Sequence, residues 1–180
     1  MNADDVARRT AEGQSDLRFA AEICRYQLRM GRHFAHEHPA SAASWDEPEM
    51  EALAKDPRVI ATKCHQCMYG LVTPAVGGGV LPARKATKWL TSSPQMAARL
   101  QRVCDHSHKH QPLDSGRPAA AAFYPEDLIA ELLRGIRDTH EAQTRSMDTL
   151  QLLHQQEPSQ QEGVDSPSEF HTEPWKRREG

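Results

Sequence analysis

At 180 residues the chain has room for one ordinary domain plus a tail, and a formal net charge of -3 provides no overall basic field to recruit nucleic acid. A hydrophobic content of 38% and a mean hydropathy of -0.73 are low for a fully packed domain of this length, which implies an unstructured portion. The opening Met1-Asn2-Ala3-Asp4-Asp5 lacks the apolar core of a signal peptide, and the longest apolar run, residues 119–123, is far too short for a membrane span. A cytoplasmic or nuclear chain with no membrane partner is therefore expected.

Residues 4–30 carry apolar side chains at helical spacing (Leu17, Ala20, Ala21, Cys24 and Leu28), and Gly31 supplies a stop, so residues 1–31 read as a helix packing on a sheet. Residues 32–37 alternate like a strand that ends before Pro39, with Phe34 and His36 on one side and His33, Ala35 and Glu37 on the other. A short helix over residues 47–55 follows, with Pro48 in its first turn, and residues 58–64 form a second strand. This strand–helix–strand order predicts parallel pairing. Residues 68–72 read as a further short strand, and residues 74–82, with three consecutive glycines, as a flexible loop. Residues 85–91 read as a strand, and Ser92-Ser93-Pro94 opens a helix reaching residue 103. Residues 104–117 are polar and irregular. Residues 125–137 form an amphipathic helix that extends through 138–154, and residues 155–180 form a disordered tail. The fold class expected is α/β, a small, incomplete, doubly wound and mostly parallel Rossmann-like sheet with flanking helices, occupying residues 32–137.

Four cysteines in a chain without a secretory leader point to free thiols or a metal site rather than to disulfides. Cys64-His65-Gln66-Cys67 and Cys104-Asp105-His106-Ser107-His108-Lys109-His110 together offer zinc its four soft or borderline ligands. The set expected is Cys64, Cys67 and Cys104 with one of His106 or His108. The plain alternative makes Cys67 a small buried hydrophobe beside Met68 and Tyr69, Cys104 a helix cap, and the histidines a solvated loop. A redox role for the Cys-x-x-Cys is disfavoured, because no helix begins at the motif.

Glu37 stands near the end of its strand, where open α/β sheets carry their chemistry. The neighbouring His33, His36 and His38 read as hydrogen-bonded structure ahead of a second ligand set, and Trp45 and Trp89 as core ahead of base-stacking platforms. Arg84, Lys85 and Lys88 form a local basic patch suited to phosphate or simply to a solvated edge. Lys176-Arg177-Arg178 is too short to serve as a localisation signal.

Three blocks in order, Gly31-Arg32-x-Phe34-x-x-Glu37-x-Pro39 with Trp45, Cys67-Met68-Tyr69-Gly70, and Lys85-x-Thr87-Lys88-x-x-Thr91-Ser92, resemble the carboxyl-terminal half of DNA cytosine-5 methyltransferase-like domains of the kind found in retrotransposon-type polyproteins of protists. Cys104-x-His106-x-His108 and Ala121-Ala122-x-Tyr124-Pro125 are similar to later parts of the same polyproteins, and the resemblance spans residues 16–137. It implies that Glu37 would hold the pairing edge of a flipped cytosine and that Lys85, Thr87 and Lys88 would face DNA or RNA phosphate. It also implies what is missing. The family's nucleophile is a cysteine preceded by proline, whereas Cys24, Cys64, Cys67 and Cys104 follow Ile23, Lys63, Gln66 and Val103. The family's glycine loop for S-adenosylmethionine has no counterpart, since Gly77-Gly78-Gly79 leads into Val80-Leu81-Pro82 and not into a helix. The expectation is a catalytically incomplete methyltransferase-like module with residual nucleic-acid binding and no S-adenosylmethionine of its own. The alternatives are a small zinc-stabilised interaction module, or half of a transferase or nuclease completed by another chain such as an upstream half-domain.

Overall fold

The structure, a computed structural model, describes residues 2–113 and 122–156. The chain divides into two units, Met1–Arg145 and Ser146–Gly180. Most of the expected tail, and Lys176-Arg177-Arg178 within it, lies outside the described residues, as do residues 119–121 of the apolar run.

Helix α1, Ala3–Arg29, starts at Asn2, whose side chain accepts the Asp5 N–H at 2.8 Å, and places Asp4 and Asp5 in its first turn. It ends before Gly31, which takes a φ of 65° that a side chain would oppose. Leu17, Ala21, Cys24 and Leu28 form one buried stripe. Strand β1, Ala35–Pro39, is followed by a 3-10 turn at Ala43–Asp46 and by α2, Pro48–Ala54. Strand β2, Ile60–His65, runs into a second 3-10 turn, Gln66–Tyr69. Strands β3, Val72–Pro74, and β4, Val80–Pro82, pair as a hairpin turned by Gly78 and Gly79, both at positive φ. Strand β5, Ala86–Thr91, is followed by α3, Pro94–Arg99, and α4, Glu126–Gln156.

The expected mostly parallel, doubly wound sheet is overturned. The three-stranded sheet has the order β1-β5-β2, and β5 pairs antiparallel with both neighbours. β1 and β2 do run in the same direction, as a strand–helix–strand unit suggests. They are not neighbours, however, because β5 lies between them and hydrogen-bonds to each. Shorter expectations also change. The strand expected over residues 32–37 and ending before Pro39 is Ala35–Pro39, with Pro39 paired to Thr87, and the helix expected to reach residue 103 ends at Arg99. The strand over residues 68–72 is instead a 3-10 turn followed by β3, and the loop over residues 74–82 contains β4.

The alternation along β1 and β5 sorts the two faces of this sheet. Leu90 packs with Phe34, Trp45, Met50 and Leu53 and the buried stripe of α1. On the opposite face Trp89 packs with Cys64, Tyr69, Met96, Leu100 and Leu128, which join the sheet to α3 and α4. Both tryptophans are therefore core. Ser93 caps α3 by accepting the Met96 N–H at 3.1 Å, and its hydroxyl meets that of Thr139 on α4. Arg99 on α3 reaches Glu131 at 2.8 Å and also bonds Asp138. Gly135 permits the approach of the two helices, since a β-carbon there would lie 3.1 Å from Met96.

Candidate metal centre

The end of β2 and the segment after α3 are bound together by backbone groups. The His65 N–H donates to the Arg102 carbonyl at 2.9 Å, and the Cys104 N–H donates to His65 Nδ1 at 3.1 Å. Burial, then the nearby Arg84 and Lys63 charges, lower the His65 pKa, which favours the neutral imidazole whose Nδ1 accepts this bond. Further along, the Gln111 N–H donates to the Pro82 carbonyl at 2.9 Å, and the Gln111 side chain accepts from Val76 N–H at 3.3 Å. Residues 104–111 are thus anchored at both ends on the sheet and the hairpin.

Between these anchors the chain brings four donors together. Cys67, Cys104, His108 and His110 each offer one ligand atom, and all four atoms lie within 4.8 Å of one another. Cys104 Sγ stands 3.6 Å from His108 Nε2 and 3.5 Å from His110 Nε2. A tetrahedral zinc with bonds of about 2.3 Å to sulfur and about 2.0–2.1 Å to nitrogen has sulfur–nitrogen edges of about 3.5–3.6 Å. The observed separations match those edges. Cys104 Sγ also accepts the His106 N–H at 3.2 Å.

Local backbone explains the arrangement. Cys67 sits in the 3-10 turn Gln66–Tyr69, closed by Gly70 at a φ of 84°. His106 has a φ of 65°, an unusual value for a side-chain-bearing residue. The turn there sends His106 to Arg84, whose Nη1 donates to His106 Nε2 at 2.8 Å, while His108 and His110 reach Cys104. Burial, reinforced by the Cys104 thiol, pushes Cys67 up to about 11, which a divalent cation would reverse. Burial and then His108, Arg84 and His106 lower the His110 pKa, favouring the neutral ligand form.

Of the residues expected from sequence, Cys67, Cys104 and His108 come together. Cys64 and His106 do not join them. Cys64 lies in the core against Trp89 and Tyr69, where burial raises its pKa. His110 replaces the missing ligands. Its signal was present in the sequence, because residues two apart in an extended segment share a side, and His108 and His110 have that spacing.

The residues expected to face nucleic acid do not form one surface. Thr87 is fully buried and accepts a hydrogen bond from Gln66 Nε2 at 2.9 Å. Lys88 lies over the Trp45 ring at 4.5 Å, alongside His36 and His38, which edge the same indole. Lys85 lies over Tyr124 at 5.5 Å, on the side where Tyr124 neighbours Trp89. Glu37 is held by the Tyr124 hydroxyl at 2.6 Å. His33 and His38 are fixed by Ser92 and Ser44, and among the described residues the one Cys/His metal group is the Cys67–His110 set.

No family model matches this chain, and neither a curated protein nor a solved structure matches it. Among the described residues no helix is long and apolar enough to cross a membrane.

Proposed function

We propose that the chain is a small zinc-stabilised interaction module in which one ion is held by Cys67, Cys104, His108 and His110. The observation that carries this reading is the four-donor cluster, with Cys104 Sγ at tetrahedral-edge distance from both histidines. Four protein ligands fill a tetrahedron and leave no position for water or substrate, which is the pattern of a structural rather than a catalytic zinc. The ion would clamp residues 104–111 to the turn after β2, holding a loop and a hairpin that bury little apolar surface of their own. Among the described residues of the hairpin region, only Leu71, Ala83 and the partly buried Leu113 cluster together. The methyltransferase-like reading draws less support from an antiparallel sheet, a buried Thr87, and two lysines lying against different aromatic residues.

The test is the metal content of the purified full-length chain and its melting with and without a strong chelator. One zinc per chain and a melting temperature that falls on chelation are expected. Absence of zinc after loading, with melting indifferent to chelator, would remove the reading.

A further inference from the structure

A cleft of about 490 Å³ opens between β1, β5, α3 and α4, away from the metal cluster. Its size falls in the range of small-molecule sites, about 300–1,000 Å³. The lining divides by chemistry. Trp89 and Met96 are buried core side chains that form an apolar floor, Phe34 and Ala35 border it at the start of β1, and Leu132 and Ile136 of α4 form a wall. Ile136 is 50% exposed, so this wall has no full cover from the rest of the fold.

At the rim stand Arg32, His33 and His140, and no aspartate or glutamate lines the cleft. The acids of α4 nearest to it are already engaged, Asp138 by Arg99 and Arg137, and Glu141 by Arg137 and Arg145. Among the described residues Arg32 has no carboxylate partner; its guanidinium rests over the Tyr26 ring at 5.4 Å. Ser92 Oγ accepts the Phe34 N–H at 3.3 Å and meets His33 Nδ1 at 3.2 Å. In the tautomer in which the Ser92 hydroxyl donates to Nδ1, His33 keeps its Nε2–H as a donor.

We propose that this cleft binds an apolar carboxylic acid, its hydrocarbon body on Trp89, Met96 and Leu132 and its carboxylate on Arg32 and His33. The apolar floor accounts for the body of the ligand and the unpaired cationic rim for the sign of its head group. Arg32 can take a carboxylate with two parallel N–H donors, a geometry that an alcohol cannot match.

Isothermal titration of the full chain with three amphiphiles of equal length tests this: dodecanoate and dodecyltrimethylammonium below their micelle thresholds, and dodecanol below its solubility limit. Dodecanoate is expected to bind one per chain, about tenfold or more tighter than dodecanol, with the ammonium weakest. Arg32→Ala should bring dodecanoate down to the affinity of dodecanol. Ile136→Trp, at an exposed position that tolerates the larger ring, should weaken both by about tenfold. An unchanged melting temperature and circular dichroism spectrum in both variants show that the fold is intact. Equal affinity for the three amphiphiles, absence of binding, or dodecanoate affinity indifferent to Arg32→Ala would each overturn the proposal.

Discussion

Two regions of this molecule are held together by different physics. Around α1 and α2 the fold rests on apolar mass: Leu17, Leu28, Trp45, Met50, Leu53 and Leu90 pack into one cluster, and the sheet face above it needs no special donors. In the other region, the turn after β2 and residues 104–111 bury little apolar surface and depend on a few backbone hydrogen bonds and four Cys/His donors. The contrast shows how a chain of low hydropathy can still define a structure in both regions. Where side chains are apolar, area alone provides the stability. Where they are polar, a specific ligand set has to supply it.

Removing the metal should separate the two regions most strongly. In Cys104→Ala, bound zinc is expected to fall from one per chain to about a tenth or less, measured by metal analysis. Amide exchange should then lose protection across residues 104–111 while α1 retains it. Uniform loss of protection in both would mean that the regions are not independent.

The converse substitution, Leu53→Ala, removes a side chain that is 1% exposed. Denaturant unfolding should show a loss of about 2–5 kcal/mol, with zinc content unchanged. A smaller effect is expected at Gly70, which closes the turn presenting Cys67 at a φ of 84°. Gly70→Ala should cost about 1–2 kcal/mol and weaken zinc binding measurably in a competition assay with a chromogenic chelator.

The smallest effect concerns the α3–α4 contact, which belongs to neither region. The Arg99 guanidinium bonds both Asp138 and Glu131 and holds their carboxyls below the usual range. Carboxyls depressed in the folded state stabilise it above their unfolded pKa, near 4 for such groups, and that contribution is lost as pH falls through their folded values. Arg99→Gln should therefore flatten the acid limb of a melting-temperature profile and leave the profile above pH 6 almost parallel to that of the unsubstituted chain. An equal shift at all pH values would assign Arg99 a packing role instead.

What could be read in the sequence follows the same division. The stripe of α1, its stop at Gly31, the strands at β1, β2 and β5, and the burial of Trp45 and Trp89 all express local periodicity or bulk, which a linear reading captures. The order of the strands does not. Nothing local to residues 32–64 indicates that β5, more than twenty residues further on, will insert between β1 and β2 and reverse the pairing. The metal set was half legible for a related reason. Cys67, Cys104 and His108 carry the ligand chemistry in plain view, but the exclusion of Cys64 depends on its facing the core beside Trp89. The choice of His110 over His106 depends on the positive φ at His106.

The central claim is the identity of the four ligands, and X-ray absorption at the zinc edge tests it most directly. The zinc-loaded chain should show two sulfur neighbours at about 2.3 Å and two nitrogen neighbours at about 2.0 Å, a spectrum that Cys64→Ser leaves unchanged and Cys67→Ser alters by one sulfur. A shell without sulfur, or one that loses a sulfur in Cys64→Ser and not in Cys67→Ser, would contradict it.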